Sequence, residues 1–144
     1  MSKPIIVAVD ETQLSSFKQT VDSLDSNLCM IKVGSVRFNT IGHEALTYVA
    51  SKGFKIFLDL KLHDIPNTVK KSIEGLISLP IGMMSIHTSG GLEMMKAAKK
   101  SVADTKSTIF GVTASTRLSD DDTSAIYQRS ASNQRKAMLA LAQT

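Results

Sequence analysis

Five short apolar, β-branched runs, each followed by a longer amphipathic stretch, constrain this chain more than any other feature. Residues 5–9 (IIVAV) predict a strand closed by Asp10. Leu14, Phe17, Val21 and Leu24 then recur at helical intervals, which predicts a helix with one apolar stripe. Residues 29–33 predict a second strand, closed by Gly34, and a helix over 38–50 carries Ile41, Ala45, Leu46 and Val49. Gly53 is its expected stop. A third strand over 55–60 leads to a helix over 64–79, which Pro80 and Gly82 close. A fourth strand over 83–87 leads to a helix opened by Gly90 and Gly91. A fifth over 108–113 leads, through a polar stretch at 119–123, to a last helical pattern with Ala137, Met138 and Leu141. Strict alternation implies parallel strands, right-handed crossovers and strands buried on both faces. The chain reads as one domain over 1–144 with no linker. Two α/β architectures fit: an open doubly wound sheet, or part of a TIM (β/α)₈ barrel. In both, ligand chemistry gathers at the carboxyl ends of the strands.

Composition removes other classes. The one cysteine, Cys29, rules out an internal disulfide framework and a multi-cysteine zinc site, and fits a reducing compartment. No apolar run approaches the ~20 residues of a membrane span. The apolar run at the start is too short for a secretory signal and is interrupted by Asp10. The expectation is a cytoplasmic protein without a membrane partner. The net charge of +4 is scattered over helical patterns, and aromatic residues, 5% of the chain, do not interleave with it. A nucleic-acid partner is not expected. A solvated face with some attraction for a small anion is.

Charged residues at the strand ends carry the chemistry. Asp10 closes the first strand, Lys32 lies within the second, and Asp59 and Lys61 flank the end of the third, with Asp64 three residues on. Charges in apolar strands are costly unless paired. Asp59 and Lys61 are two apart and share a strand face, which Lys32 on the next strand can reach. Asp64 has the simpler reading of a helix cap ahead of Pro66. An array of alternating sign keeps its lysines protonated and its carboxylates ionised. That suits proton transfer to carbon, or decarboxylation, without a cofactor; a buried ion-pair network is the plainer alternative.

The run from Asp59 to Thr68, DLKLHDIPNT, resembles the signature of the orotidine 5′-phosphate decarboxylase family. The resemblance extends to IVAVD ending at Asp10, IKVG ending at Gly34, SIHTSGG ending at Gly91 and GVTAST ending at Thr116. It implies a homodimeric TIM barrel that converts orotidine 5′-phosphate to uridine 5′-phosphate and CO₂, a step in pyrimidine biosynthesis. No metal or other cofactor is implied. Lys32, Asp59, Lys61 and Asp64 match the catalytic group, with Lys61 as proton donor and Asp64 supplied by the partner subunit. Asp10 and Lys32 match positions that hold the ribose hydroxyls, Thr68 one that crosses the interface, and Thr116 one at the pyrimidine ring. Ser115 and Arg117 depart from the family pattern beside Thr116. His87 reads as structural, His63 has no assigned role, and His43 reads as a helix-surface residue. Gly90 and Gly91 read as a backbone turn rather than a phosphate cradle, and Met83, Met84, Met94 and Met95 as core or interface filler.

The shorter motif Asp-x-Lys-x-x-Asp also occurs in related phosphosugar lyases of the keto-gulonate phosphate decarboxylase and hexulose-phosphate synthase type. These would place a metal at the third-strand carboxylates. A third reading is a non-catalytic partial barrel. A full barrel needs at least about 200 residues, and five units make the N-terminal portion of one. The expectation for these 144 residues alone is weak turnover or none.

Overall fold

The computed structural model describes residues 5–114 and 118–143. Thr116, the expected ring contact, and its neighbours Ser115 and Arg117 lie outside the described residues. Five strands, β1 (Ile5–Ala8), β2 (Cys29–Gly34), β3 (Ile56–Leu62), β4 (Ile81–His87) and β5 (Thr108–Val112), form one sheet in the order of the sequence. Every neighbouring pair is parallel, as the alternation requires. The crossovers are α1 (Leu14–Asp22), α2 (Ser35–Ile41), α3 (His43–Ser51), α4 (Pro66–Glu74) and α5 (Leu92–Ser101). Helices α6 (Asp120–Tyr127) and α7 (Ala131–Ala142) follow β5.

The core lies between one face of the sheet and the helices. Ile31 and Val33 of β2, Ile56 and Leu58 of β3, and Met84 and Ile86 of β4 are buried there against Phe17, Val21, Leu46, Val49, Val69, Ile73, Met94 and Ala98. The expectation that strands are buried on both faces is corrected. The edge strands are exposed: Ile5 is 54% exposed on β1 and Phe110 51% on β5. Each has one strand neighbour among the described residues. The second sheet face carries Lys32, Phe57 and Asp59, none of them fully buried, and Phe57 meets Phe110 edge-on at 6.4 Å between ring centres. Polar strand residues therefore have an open surface to occupy.

Three boundaries differ from the sequence pattern. The single helix expected over 38–50 is two, split at Gly42, whose φ of 68° and ψ of −144° exclude a continuous helix. The helix expected over 64–79 ends at Glu74, and turns carry the chain to β4. The polar stretch at 119–123 is itself helical. Ser119 caps α6, accepting from the Asp122 N–H, while the Asp122 carboxylate accepts from the Ser119 N–H. Aspartates in this first turn also complement the helix dipole.

The backbone at Gly42 predicts a stability effect. Gly42→Ala places a side chain in a region that L-residues rarely occupy and lowers stability by about 1–3 kcal/mol in urea unfolding. An unchanged midpoint would show that the α2–α3 break does not depend on glycine.

Candidate active site

The site is built where β3 leaves regular geometry. The β3–β4 register shifts between Leu58 and Leu62, and Lys61 within that shift has a φ of 52°, rare for a residue with a side chain. Its N–H donates to the Ser85 hydroxyl on β4 at 2.9 Å. The irregularity replaces a simple two-residue alternation, yet the side chains still meet. The Lys61 ammonium donates to Asp59 Oδ2 at 2.9 Å. Lys32 approaches the same oxygen at 3.9 Å. Ser85 donates to Asp59 Oδ1 at 2.7 Å. Both carboxylate oxygens thus have donors, and the Asp59 side chain is 14% exposed.

Burial by itself would raise the Asp59 pKa. Hydrogen bonds from Lys61 and Ser85, together with the charges of Lys61 and Lys32, outweigh it and hold the carboxyl below its ordinary value. The result is a fixed anion between two ammonium groups. Lys61, with its side chain 46% exposed, keeps donor capacity for a ligand on the open side.

Of the residues singled out from sequence, Lys32, Asp59 and Lys61 come together. Asp10 is exposed just beyond β1, and its Oδ1 lies 3.8 Å from where a Cβ on Gly34 would sit. It therefore stands at the end of β2 without joining the three. Asp64 also stands apart. Its Oδ1 accepts from the Ile65 N–H at 2.7 Å, while Ile65 itself occupies the cap position of α4. Thr68 is exposed in the first turn of α4. Asp64, His63, Ile65, Pro66, Ser89 and Gly90 line a shallow cleft that includes none of the three. The His63 and His87 rings meet with centres 5.6 Å apart. Burial, then the neighbouring His63 and Lys61, push the His87 pKa down. Among the described residues no three His, Cys, Asp or Glu side chains gather as a metal would need. No described helix is long and apolar enough to cross a membrane.

Two buried polar residues were not assigned roles from sequence. Ser85 is fully buried, and its signal is a hydroxyl within an otherwise apolar strand. Arg37 is also fully buried, and its signal is its place four residues before Ile41 on an apolar stripe.

A parallel α/β sheet with a charged cluster at the carboxyl end of its third strand is shared by doubly wound sheets and TIM barrels, and the family match and solved neighbours put this chain in the TIM-barrel class. The orotidine 5′-phosphate decarboxylase / HUMPS family matches residues 3–143, and the chain belongs to that family. It is 41% identical over 124 residues to orotidine 5′-phosphate decarboxylase of Shewanella sediminis, covering 84% of this chain and 53% of that protein. It is 38% identical over 124 residues to the enzyme of the same name from Saccharophagus degradans, covering 85% and 52%. The crystal structure of orotidine 5′-phosphate decarboxylase from Lactobacillus acidophilus matches with a TM-score of 0.85 at 30% identity, covering 98% of this chain and 67% of that one. The chain spans about half the length of the curated relatives it matches.

Ser85 generates a direct prediction. Ser85→Ala leaves the Lys61 N–H without its acceptor and removes a donor from Asp59. It should cost about 1–3 kcal/mol in urea unfolding. Unchanged stability would mean that the irregular end of β3 holds without the hydroxyl.

Proposed function

We propose that this chain supplies the charged centre of an orotidine 5′-phosphate decarboxylase. The observation that carries the reading is Asp59 held between the Lys61 and Lys32 ammonium groups. In the reaction, Asp59 stands beside the substrate carboxylate. The bond from C6 to that carboxylate breaks, CO₂ leaves, and the electron pair remains at C6. Lys61 Nζ delivers a proton there, giving uridine 5′-phosphate. Charge developing at C6 is stabilised by an ammonium already in place, so little reorganisation is needed. Asp10 and Lys32 hold the ribose hydroxyls, and Thr116 meets the pyrimidine ring.

A homodimer completes the site, with Asp64 and Thr68 reaching across to the partner's cluster. Both are exposed here and separate from Asp59, and Ile65 between them is 65% exposed, a large apolar side chain on the same loop. The chemistry rests on side chains in a cytoplasmic enzyme. The phosphosugar-lyase alternative needs a divalent metal at the third-strand carboxylates. Asp59 is a poor ligand for one, because two ammonium groups already share its Oδ2. The names of the relatives also favour orotidine phosphate.

The test follows orotidine 5′-phosphate absorbance in a complete barrel carrying this chain as its first five units. Lys61→Ala should lower kcat by about 10²–10⁴-fold or more, as loss of a proton donor does. Retained turnover would remove Lys61 from that role. The 144-residue chain alone should turn over weakly or not at all. Mixing Lys61→Ala with Asp64→Ala subunits should restore part of the activity if the site is shared.

A further inference from the structure

Arg37 poses a problem that the catalytic reading does not solve. It is 0% exposed, and its Nε and both terminal nitrogens lack a hydrogen-bond partner among the described residues. It sits in the first turn of α2, where the helix dipole disfavours a cation. Nothing within α2 offsets the burial of its charge. Glu11, just beyond β1, has the complementary problem. Its Oε1 accepts from the Thr20 hydroxyl at 2.7 Å, while its Oε2 is buried without a partner.

Both side chains converge on one patch of α1. Glu11 is pinned to Thr20, and the Arg37 guanidinium lies 5.0 Å from the centre of the Phe17 ring. Phe17 and Thr20 are three apart on α1 and therefore neighbours on its surface. The strand ends are joined on the same side. The Val9 N–H donates to the Lys32 carbonyl at 3.3 Å, and Asp10 stands beside Gly34, three residues before Arg37. A buried cation thus has two carboxylates, Glu11 and Asp10, as its local counter-charges. Burial lowers the Arg37 pKa, and the charges of Glu11 and Asp10 oppose that shift.

We propose that Arg37 is a positioning residue: its buried charge holds Glu11 and Asp10, and so sets the carboxyl end of β1 against the end of β2. Arg37 lies outside the Asp59 cluster and acts on ligand only through Asp10. That step rests on the ribose role given to Asp10 above.

The test has two arms, the first on the 144-residue chain and the second on the complete barrel that carries it as its first five units. The first is a double-mutant cycle of Arg37→Met and Glu11→Gln in urea unfolding. The expected result is non-additivity of at least about twofold in the unfolding equilibrium constant, since the two groups share one patch of α1 without a direct ion pair. Additive effects, or stabilisation by Arg37→Met, would overturn the pairing. If Arg37→Met does not fold, Arg37→Lys replaces it in the cycle and should show coupling of the same sign. The second arm compares binding of uridine 5′-phosphate and 2′,3′-dideoxyuridine 5′-phosphate. The unaltered barrel should prefer the ribose form, Arg37→Met should lose about tenfold of that preference, and Arg37→Lys should keep most of it. A folded Arg37→Met that retains the full preference would make Arg37 purely structural and overturn the positioning role. If the unaltered barrel shows no preference, the ribose role of Asp10 fails and the positioning role with it, while the first arm still decides the Glu11–Arg37 pairing.

Discussion

A single carboxylate, Asp59, organises the functional end of this sheet. It accepts hydrogen bonds from Lys61 of β3 and Ser85 of β4 and forms a longer ion pair with Lys32 of β2. Each partner depends on a different structural feature. Lys32 relies on the parallel register of β2 with β3, in which Gly34 lies opposite Asp59. Ser85 relies on full burial within β4. Lys61 relies on the left-handed backbone that breaks the β3 ladder. A partly buried anion without these donors would be protonated or solvated, and the cluster would lose its alternating charge.

In these 144 residues the sheet has two unlike faces. One is sealed by α1 to α5 and holds the apolar core. The other is open enough for ammonium groups to keep part of their hydration. The carboxylate keeps the ammonium oriented while leaving its other hydrogens for a ligand. Asp64 and Thr68 look outward from the adjoining loop and first turn, next to an exposed isoleucine. Asp64 accepts from the Ile65 N–H rather than joining the Asp59 cluster, in keeping with the proposal that both residues serve another subunit's site.

Much of this was legible from the chain. The alternation of runs yields the five parallel strands and their order, because a parallel pair needs a crossover and each amphipathic stretch supplies one. The i, i+2 spacing of Asp59 and Lys61 yields their pairing, although the backbone reaches it by a bulge that spacing does not reveal. The open face was not legible. Strand runs rich in Ile, Val and Leu read as buried on both sides, and only the absence of neighbours at β1 and β5 among the described residues exposes Ile5 and Phe110. The α2–α3 break was hidden because Gly42 interrupts a continuous apolar stripe without changing its period. Ser85 and Arg37 were harder to read because a polar residue within an apolar run or stripe does not say what it meets. Their roles come from partners distant in sequence.

The central claim is that Asp59 is held ionised by its lysine and serine donors, and its own titration tests this most directly. Side-chain carboxyl NMR of the chain should place the Asp59 midpoint below the ordinary value of about 3.9, and Lys61→Met should move it upward. The sign for stability follows. A depressed carboxyl pKa contributes stability that is full above the unfolded value and lost as pH falls through the folded one. A midpoint at or above about 3.9, unmoved by Lys61→Met, would contradict the account and leave the cluster without its fixed anion.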